Sequence, residues 1–178
     1  MNNEQLSTTK EIYNTLSEII STPTIHISLL QAFPQIKNIS PDKIFWIESL
    51  KFMAWISNSD GNISQRELNV MNYITGVYMS LESIQEIMHD NEFLDSMTDA
   101  PLTVKILCEV ENMLYENNAT SSSDSLMNIL ILYFETIGKL VADADNDIST
   151  IEYTRINKYI EIIKEYAAEH TLSPFFKY

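Results

Sequence analysis

Apolar residues recur three and four positions apart along almost the whole chain, and no stretch alternates apolar with polar residues long enough to argue for a sheet. The periodicity predicts helices. From about Glu4 to Ile20 the stripe is Ile12, Leu16, Ile19 and Ile20, closed by Pro23, and a short segment from Thr24 to Phe33 stops before Pro34. Ser40 reads as an N-cap, with Pro41 at the first helical position and Asp42 in the positive field of the helix start. That helix runs to about Ser57. Its Ile44, Ile47, Leu50, Met53, Ala54 and Ile56 keep helical spacing, and Phe45, Trp46, Phe52 and Trp55 widen the apolar surface until the helix is expected at the centre.

Ser64 opens the next helix, with Leu68, Met71, Ile74 and Tyr78 on one face and Gly76 inside its last turns. Ser80 caps a short helix to about Met88, and Asp99 with Pro101 starts one carrying Leu102, Val104, Ile106, Leu107, Val110 and Leu114. The polar, serine-rich run from Glu116 to Asp124 reads as a loop. From Ser125, the pattern Leu126, Ile129, Leu130, Tyr133, Phe134, Ile137, Val141 gives a long buried helix, and Ser149 opens the last one, with Ile156, Tyr159, Ile160, Ile163 and Ala167 inward. The tail with Pro174, Phe175 and Phe176 is expected to dock. The fold class is all-α: a single-domain bundle of about seven or eight helices.

Part of this pattern occurs twice. An offset of 85 residues places Ile56 over Val141, Asp60 over Asp145, Ile63 over Ile148, Ser64 over Ser149 and Glu67 over Glu152. Flanking positions agree in class: Ser57 with Ala142, Asn58 with Asp143, Ser59 with Ala144, Asn62 with Asp147, Met71 with Ile156, Tyr78 with Ile163. Each copy is an apolar helix, a short acidic turn and an amphipathic helix, which predicts two halves related by a pseudo-twofold axis. Ser64-x-x-Glu67 and Ser149-x-x-Glu152 are capping boxes, Gly61 permits a left-handed turn, and Ile63 and Ile148 stand at staple positions. Caps do not account for Asp60, Asp143, Asp145 and Asp147, which crowd like charge into short turns. Helix N-termini offset about 0.3 to 1 kcal/mol per carboxylate. A hard divalent cation is the other way to offset them. An EF-hand register fails, because it puts Ile56 and Val141 at the first ligand position, and the shifted register puts Ile148 and Thr154 at required glycine and glutamate positions.

The residues Ser59, Asp60, Gly61 through Glu67, and Ala144, Asp145, Asn146 through Glu152, resemble the TerB-like family of tellurite-resistance-associated helical proteins. The N-terminal domain of DjlA-type co-chaperones is similar in this motif. The likeness covers about Ser40 to His170 and departs at Asn146, where the family usually has glycine, and in an aromatic-rich first helix with an N-terminal extension. It implies a compact helical fold, a link to tellurite or other chemical stress, and a cation-binding acidic surface. The organisation expected is a helical extension over residues 1–39, a TerB-like domain over 40–170 with halves near 40–90 and 122–170, and a tail over 171–178. The expected ligands are Asp60, Glu67, Asp143, Asp145, Asp147 and Glu152, with Ca²⁺, Mg²⁺, Mn²⁺ or Zn²⁺ as the ion; the alternative is an acidic protein-interaction scaffold without metal.

Charge narrows the partners. The chain has 178 residues and a formal net charge of −14, so phosphate backbones and anionic lipid repel it. A protein partner is expected, with no nucleic acid and no membrane insertion. The single Cys108 forms no internal disulfide, and no basic-then-apolar leader or run of roughly 20 apolar residues is visible, which suits a cytoplasmic protein. Catalytic chemistry finds little material. Three glycines leave no phosphate-cradling loop, Glu86-x-x-His89 lacks the second such pair of a di-iron bundle, and His26, His89 and His170 are isolated. Cys108 sits among Ile106, Leu107 and Val110 as a buried thiol, and the methionines and tyrosines fall on core stripes. No enzymatic activity is expected.

Overall fold

Pro23, Pro34 and Pro41 each open a helical element, because proline's fixed φ suits a first turn whose amide has no partner to lose. The computed structural model describes residues 3–88, 98–117, 125–145, 149–174 and 176. Helices among these residues are α1 (Asn3–Ile20), α2 (Pro23–Ala32), a 3₁₀ turn (Pro34–Asn38), α3 (Pro41–Ser57), α4 (Gln65–Thr75), α5 (Leu81–Met88), α6 (Leu102–Glu116), α7 (Leu126–Ala142) and α8 (Thr150–His170). No described residue is in a strand. Pro23 therefore starts α2 in addition to ending α1.

Two apolar helices, α3 and α7, lie against each other at the centre. Helix α3 also touches α1, α4, α5, α6 and α8, while α7 also touches α1, α4, α6 and α8. An aromatic row ties them together: Tyr13 of α1 stacks on Phe45 at 5.0 Å, Phe45 meets Tyr133 at 5.2 Å, Tyr133 meets Phe134 at 5.3 Å, and Phe134 meets Phe52 and Tyr159 at 5.4 Å each. Such ring pairs contribute about 0.5 to 1.5 kcal/mol each beyond the area they bury. At the middle of the row Tyr133 Oη donates to the buried Ser49 Oγ at 3.0 Å. Burial pushes the Tyr133 phenol far above its ordinary range, so it stays a donor.

Three local expectations are corrected. Gly76 has φ +70° and ends α4 at Thr75, instead of lying inside the helix, so Tyr78 is outside the helix and 90% exposed. Lys10 of α1 closes that end from outside, its Nζ donating to the Ile74 carbonyl at 2.5 Å. Helix α6 starts at Leu102 without a local side-chain cap, and Asp99 is exposed; Glu48 of α3 accepts the Leu102 and Thr103 amides at 2.7 and 2.8 Å instead. Tyr73, Tyr78 and Tyr115 are exposed, so not every tyrosine is core.

On α1 the buried stripe is Leu6, Thr9, Tyr13, Leu16 and Ile20, with Ile12 and Ile19 at its edge. These side chains lie in the same core as α3 and α7. At the crossing of α7 with α3 and α8, a Cβ on Gly138 would come within 2.9 Å of Ile156 Cγ1 and 3.2 Å of a Phe52 ring carbon. Phe176 packs on the core from the tail. Among the described residues, no helix is long and apolar enough to cross a membrane.

Candidate functional site

Both acidic turns end in the same device. Ser64 Oγ accepts the Glu67 amide at 3.2 Å and Glu67 Oε2 accepts the Ser64 amide at 2.6 Å, while the Ser149 amide donates to Glu152 Oε2 at 3.2 Å. Both capping boxes are complete. The reason lies in the sequence: serine followed three residues later by glutamate satisfies two orphan amides at once. Ile63, at the staple position, is 3% exposed, and Gly61 takes φ +88° as the tight turn requires. Asp60 Oδ1 accepts the Asn62 amide at 2.9 Å inside that turn. Asp143 ends α7 and accepts the Tyr153 hydroxyl at 3.0 Å.

The two glutamates are buried, at 2% and 5% exposure, although each is charged in water. Burial pushes the Glu152 carboxyl up to about 7; the Ser149 amide pulls it down, and the negative charges of Glu67, Asp145 and Asp60 push it further up. Glu67 is also raised, by burial first, with Ser64 and Ser57 opposing and the charge of Asp145 adding to the rise. Four of the six acidic residues singled out in the sequence, 85 positions apart in pairs, therefore lie within electrostatic reach of one another. Asp147 and the staple residue Ile148 lie outside the described residues, as does Asn146.

Two hydroxyls beside these carboxylates are unsatisfied. Ser57, 1% exposed at the end of α3, opposes the rise at Glu67, yet neither its Oγ nor that of Ser59 makes a regular hydrogen bond to a described residue. At the offset positions the second unit has Ala142 and Ala144, both buried. Arg155, one turn past Glu152, donates to the Trp55 carbonyl and lies 5.2 Å from the centre of its ring. Partial burial lowers the Arg155 pKa and the charge of Glu152 offsets that effect. Sequence reasoning named the acidic residues, and Ser59 as part of the motif, but missed Ser57 and Arg155. The only signal for Ser57 was its mismatch with alanine across the repeat.

Among the described residues no three His, Cys, Asp or Glu side chains are grouped so as to hold a metal ion. The other candidates are plainer. Cys108 is buried, its Sγ 3.1 Å from Thr171 Oγ1, and burial raises its pKa, which makes it a poor nucleophile. His170 stacks on Tyr166 at 4.0 Å on the surface. Glu86 is exposed, and His89 and the side chain of His26 lie outside what is described. Compared with family models, curated proteins and solved structures, the chain finds no match.

Proposed function

We propose that this chain is a non-enzymatic, TerB-like stress-associated protein that takes up a divalent cation where its two acidic turns meet. The observation that carries the reading is the convergence of negative charge from Glu67, Asp145 and Asp60 on Glu152, and from Asp145 on Glu67. The free lone pairs of Ser57 and Ser59 add neutral oxygen donors of the kind hard cations accept. Asp143, at the end of α7, adds a further carboxylate beside the second turn. The link to tellurite or other chemical stress rests on the motif likeness alone; the pseudo-twofold relation of the halves rests on the 85-residue offset, and the way α3 touches α8 and α4 touches α7 suits it.

The experiment is a calorimetric titration and a thermal melt of chelator-stripped protein with Ca²⁺, Mg²⁺, Mn²⁺ and Zn²⁺. One of the four ions is expected to give saturable heat and to raise the melting temperature, since a ligand bound by the native state alone stabilises it by mass action. The double variant Asp60→Asn, Asp145→Asn is expected to lose both effects. No heat with any ion defeats the proposal, and a shift that survives the double variant places the ion elsewhere.

The second reading is the acidic interaction scaffold, favoured by one observation: Tyr73, Val77 and Tyr78 are exposed together at and beyond the end of α4, at 47%, 41% and 90%. Exposed aromatic side chains of this kind serve as anchors in protein interfaces. The Tyr78→Ala variant, with no effect on melting and loss of partner capture, would support it.

A further inference from the structure

A cavity of about 170 Å³ lies between the head of α3, the start of α6 and α8, well apart from the acidic turns in its chemistry. Its walls are apolar: Ile44, Ile47 and Pro101, with the exposed Ile39 at the rim. Its polar groups are Tyr159, Glu48 and Lys51. The size matches that of an engineered cavity of about 150 Å³ that admits benzene.

Tyr159 is the unexplained member. The residue is 1% exposed, and its ring is clamped by Phe52 at 4.4 Å, stacked, and by Phe134 at 5.4 Å, edge-on, so its hydroxyl is fixed in place. That hydroxyl makes no hydrogen bond to any described residue, in contrast to Tyr133, which has Ser49. Tyr159 lines the cavity, so an acceptor placed there can take the hydrogen bond that no described residue takes. Glu48 stands beside it, and its charge acts on the phenol. Each Glu48 oxygen already holds one amide of α6 and keeps a second lone pair. The cavity thus offers one fixed O–H donor next to one acceptor, over an apolar floor. The Glu48 carboxylate disfavours an anionic guest, and the Lys51 ammonium disfavours a cationic one.

We propose that this cavity binds a small uncharged ring bearing one hydroxyl, of the size of phenol or cyclohexanol, whose oxygen accepts from Tyr159 Oη and whose hydrogen is donated to Glu48. The hydroxyl uses the donor and the acceptor together, and the ring replaces water against Ile44, Ile47 and Pro101. Water alone is the competing occupant.

The test is calorimetry and thermal melting of the whole chain with phenol and with cyclohexanol, beside toluene, which lacks the hydroxyl, and benzoate, which carries charge. Both alcohols are expected to give saturable heat at millimolar concentrations and to raise the melting temperature, with toluene weaker and benzoate silent. Tyr159→Phe should weaken phenol binding about 2- to 10-fold, the worth of one neutral hydrogen bond, and leave toluene unchanged. Ile47→Trp, at a half-buried wall position, should fill the cavity and abolish binding of both alcohols while the melt of the free protein persists. No saturable heat from either alcohol, toluene binding as tightly as phenol, or binding that survives Ile47→Trp overturns the proposal. Asp60→Asn with Asp145→Asn leaves alcohol binding unchanged, which separates this site from the acidic turns.

Discussion

The first acidic turn is lined by hydroxyls and the second by methyl groups. Ser57 and Ser59 stand without partners where Ala142 and Ala144 sit in the second unit, and all four are at the end of a central apolar helix. The helices that follow differ more: α4 spans 11 residues and stops at Gly76, while α8 spans 21 residues and carries the phenol and guanidinium that reach back to α3. The capping boxes are alike. A shared local device therefore fixes where each second helix begins, whereas the surrounding side chains decide what the turn can hold. The first turn keeps unused polar capacity; the second keeps a carboxyl whose pKa burial pushes up to about 7.

The largest expected effect comes from filling a place where the units differ in bulk. Gly138 corresponds at the 85-residue offset to Met53, and the missing Cβ is what allows α7 to approach Ile156 and Phe52. Gly138→Ala should destabilise by about 1 to 3 kcal/mol through overpacking, read by denaturant unfolding. A variant as stable as the parent would mean that the helices have slack at this crossing.

Next come the caps. Ser64→Ala and Ser149→Ala should each cost about 1 kcal/mol in chemical unfolding, and similar costs would confirm that the two boxes act alike. If only one is costly, the units differ at their starts as well as in their lengths.

Smaller is the response to pH. The folded-state pKa of Glu152 lies above its unfolded value, so the stability it contributes is complete below about 4.5 and is lost as pH rises through about 7. Lowering the pH from 8 toward 5 should raise the melting temperature, and Glu152→Gln should flatten that slope more than Gln at position 67 does. Equal slopes in all three proteins would remove Glu152 from the account.

The smallest effect is expected at Ser57. Ser57→Ala makes the first turn resemble the second and removes an unpartnered buried hydroxyl, so melting should be unchanged or improved by at most about 1 kcal/mol. Loss of stability would reveal a hydrogen bond from this hydroxyl in solution.

Helix positions were legible because serine caps, proline starts and 3.6-residue stripes are local signals: Ser125 and Ser149 cap α7 and α8, while α3 starts at Pro41 although the Ser40 side chain makes no cap hydrogen bond. The start of α6 was not, since its cap is Glu48, 54 residues away from Leu102. Nor was the end of α4: a glycine within an apolar stripe reads as a tolerated interior residue until its positive φ is known. The acidic residues of the site were visible by repetition. Their convergence was a matter of how α3, α4, α7 and α8 meet, and the unpartnered hydroxyls of Ser57 and Tyr159 depend on burial that no spacing reveals.

The reach of Lys10 to the last turn of α4 couples two events that local sequence would keep separate. Helix α1 cannot lift away from the bundle without taking the ammonium from the Ile74 carbonyl and Tyr13 from the aromatic row. Fraying of the C-terminal end of α4 and detachment of α1 are then one opening unit, with one free energy. In hydrogen exchange the amides near Ile74 should carry the same protection as those around Tyr13, despite the 64 residues between Lys10 and Ile74.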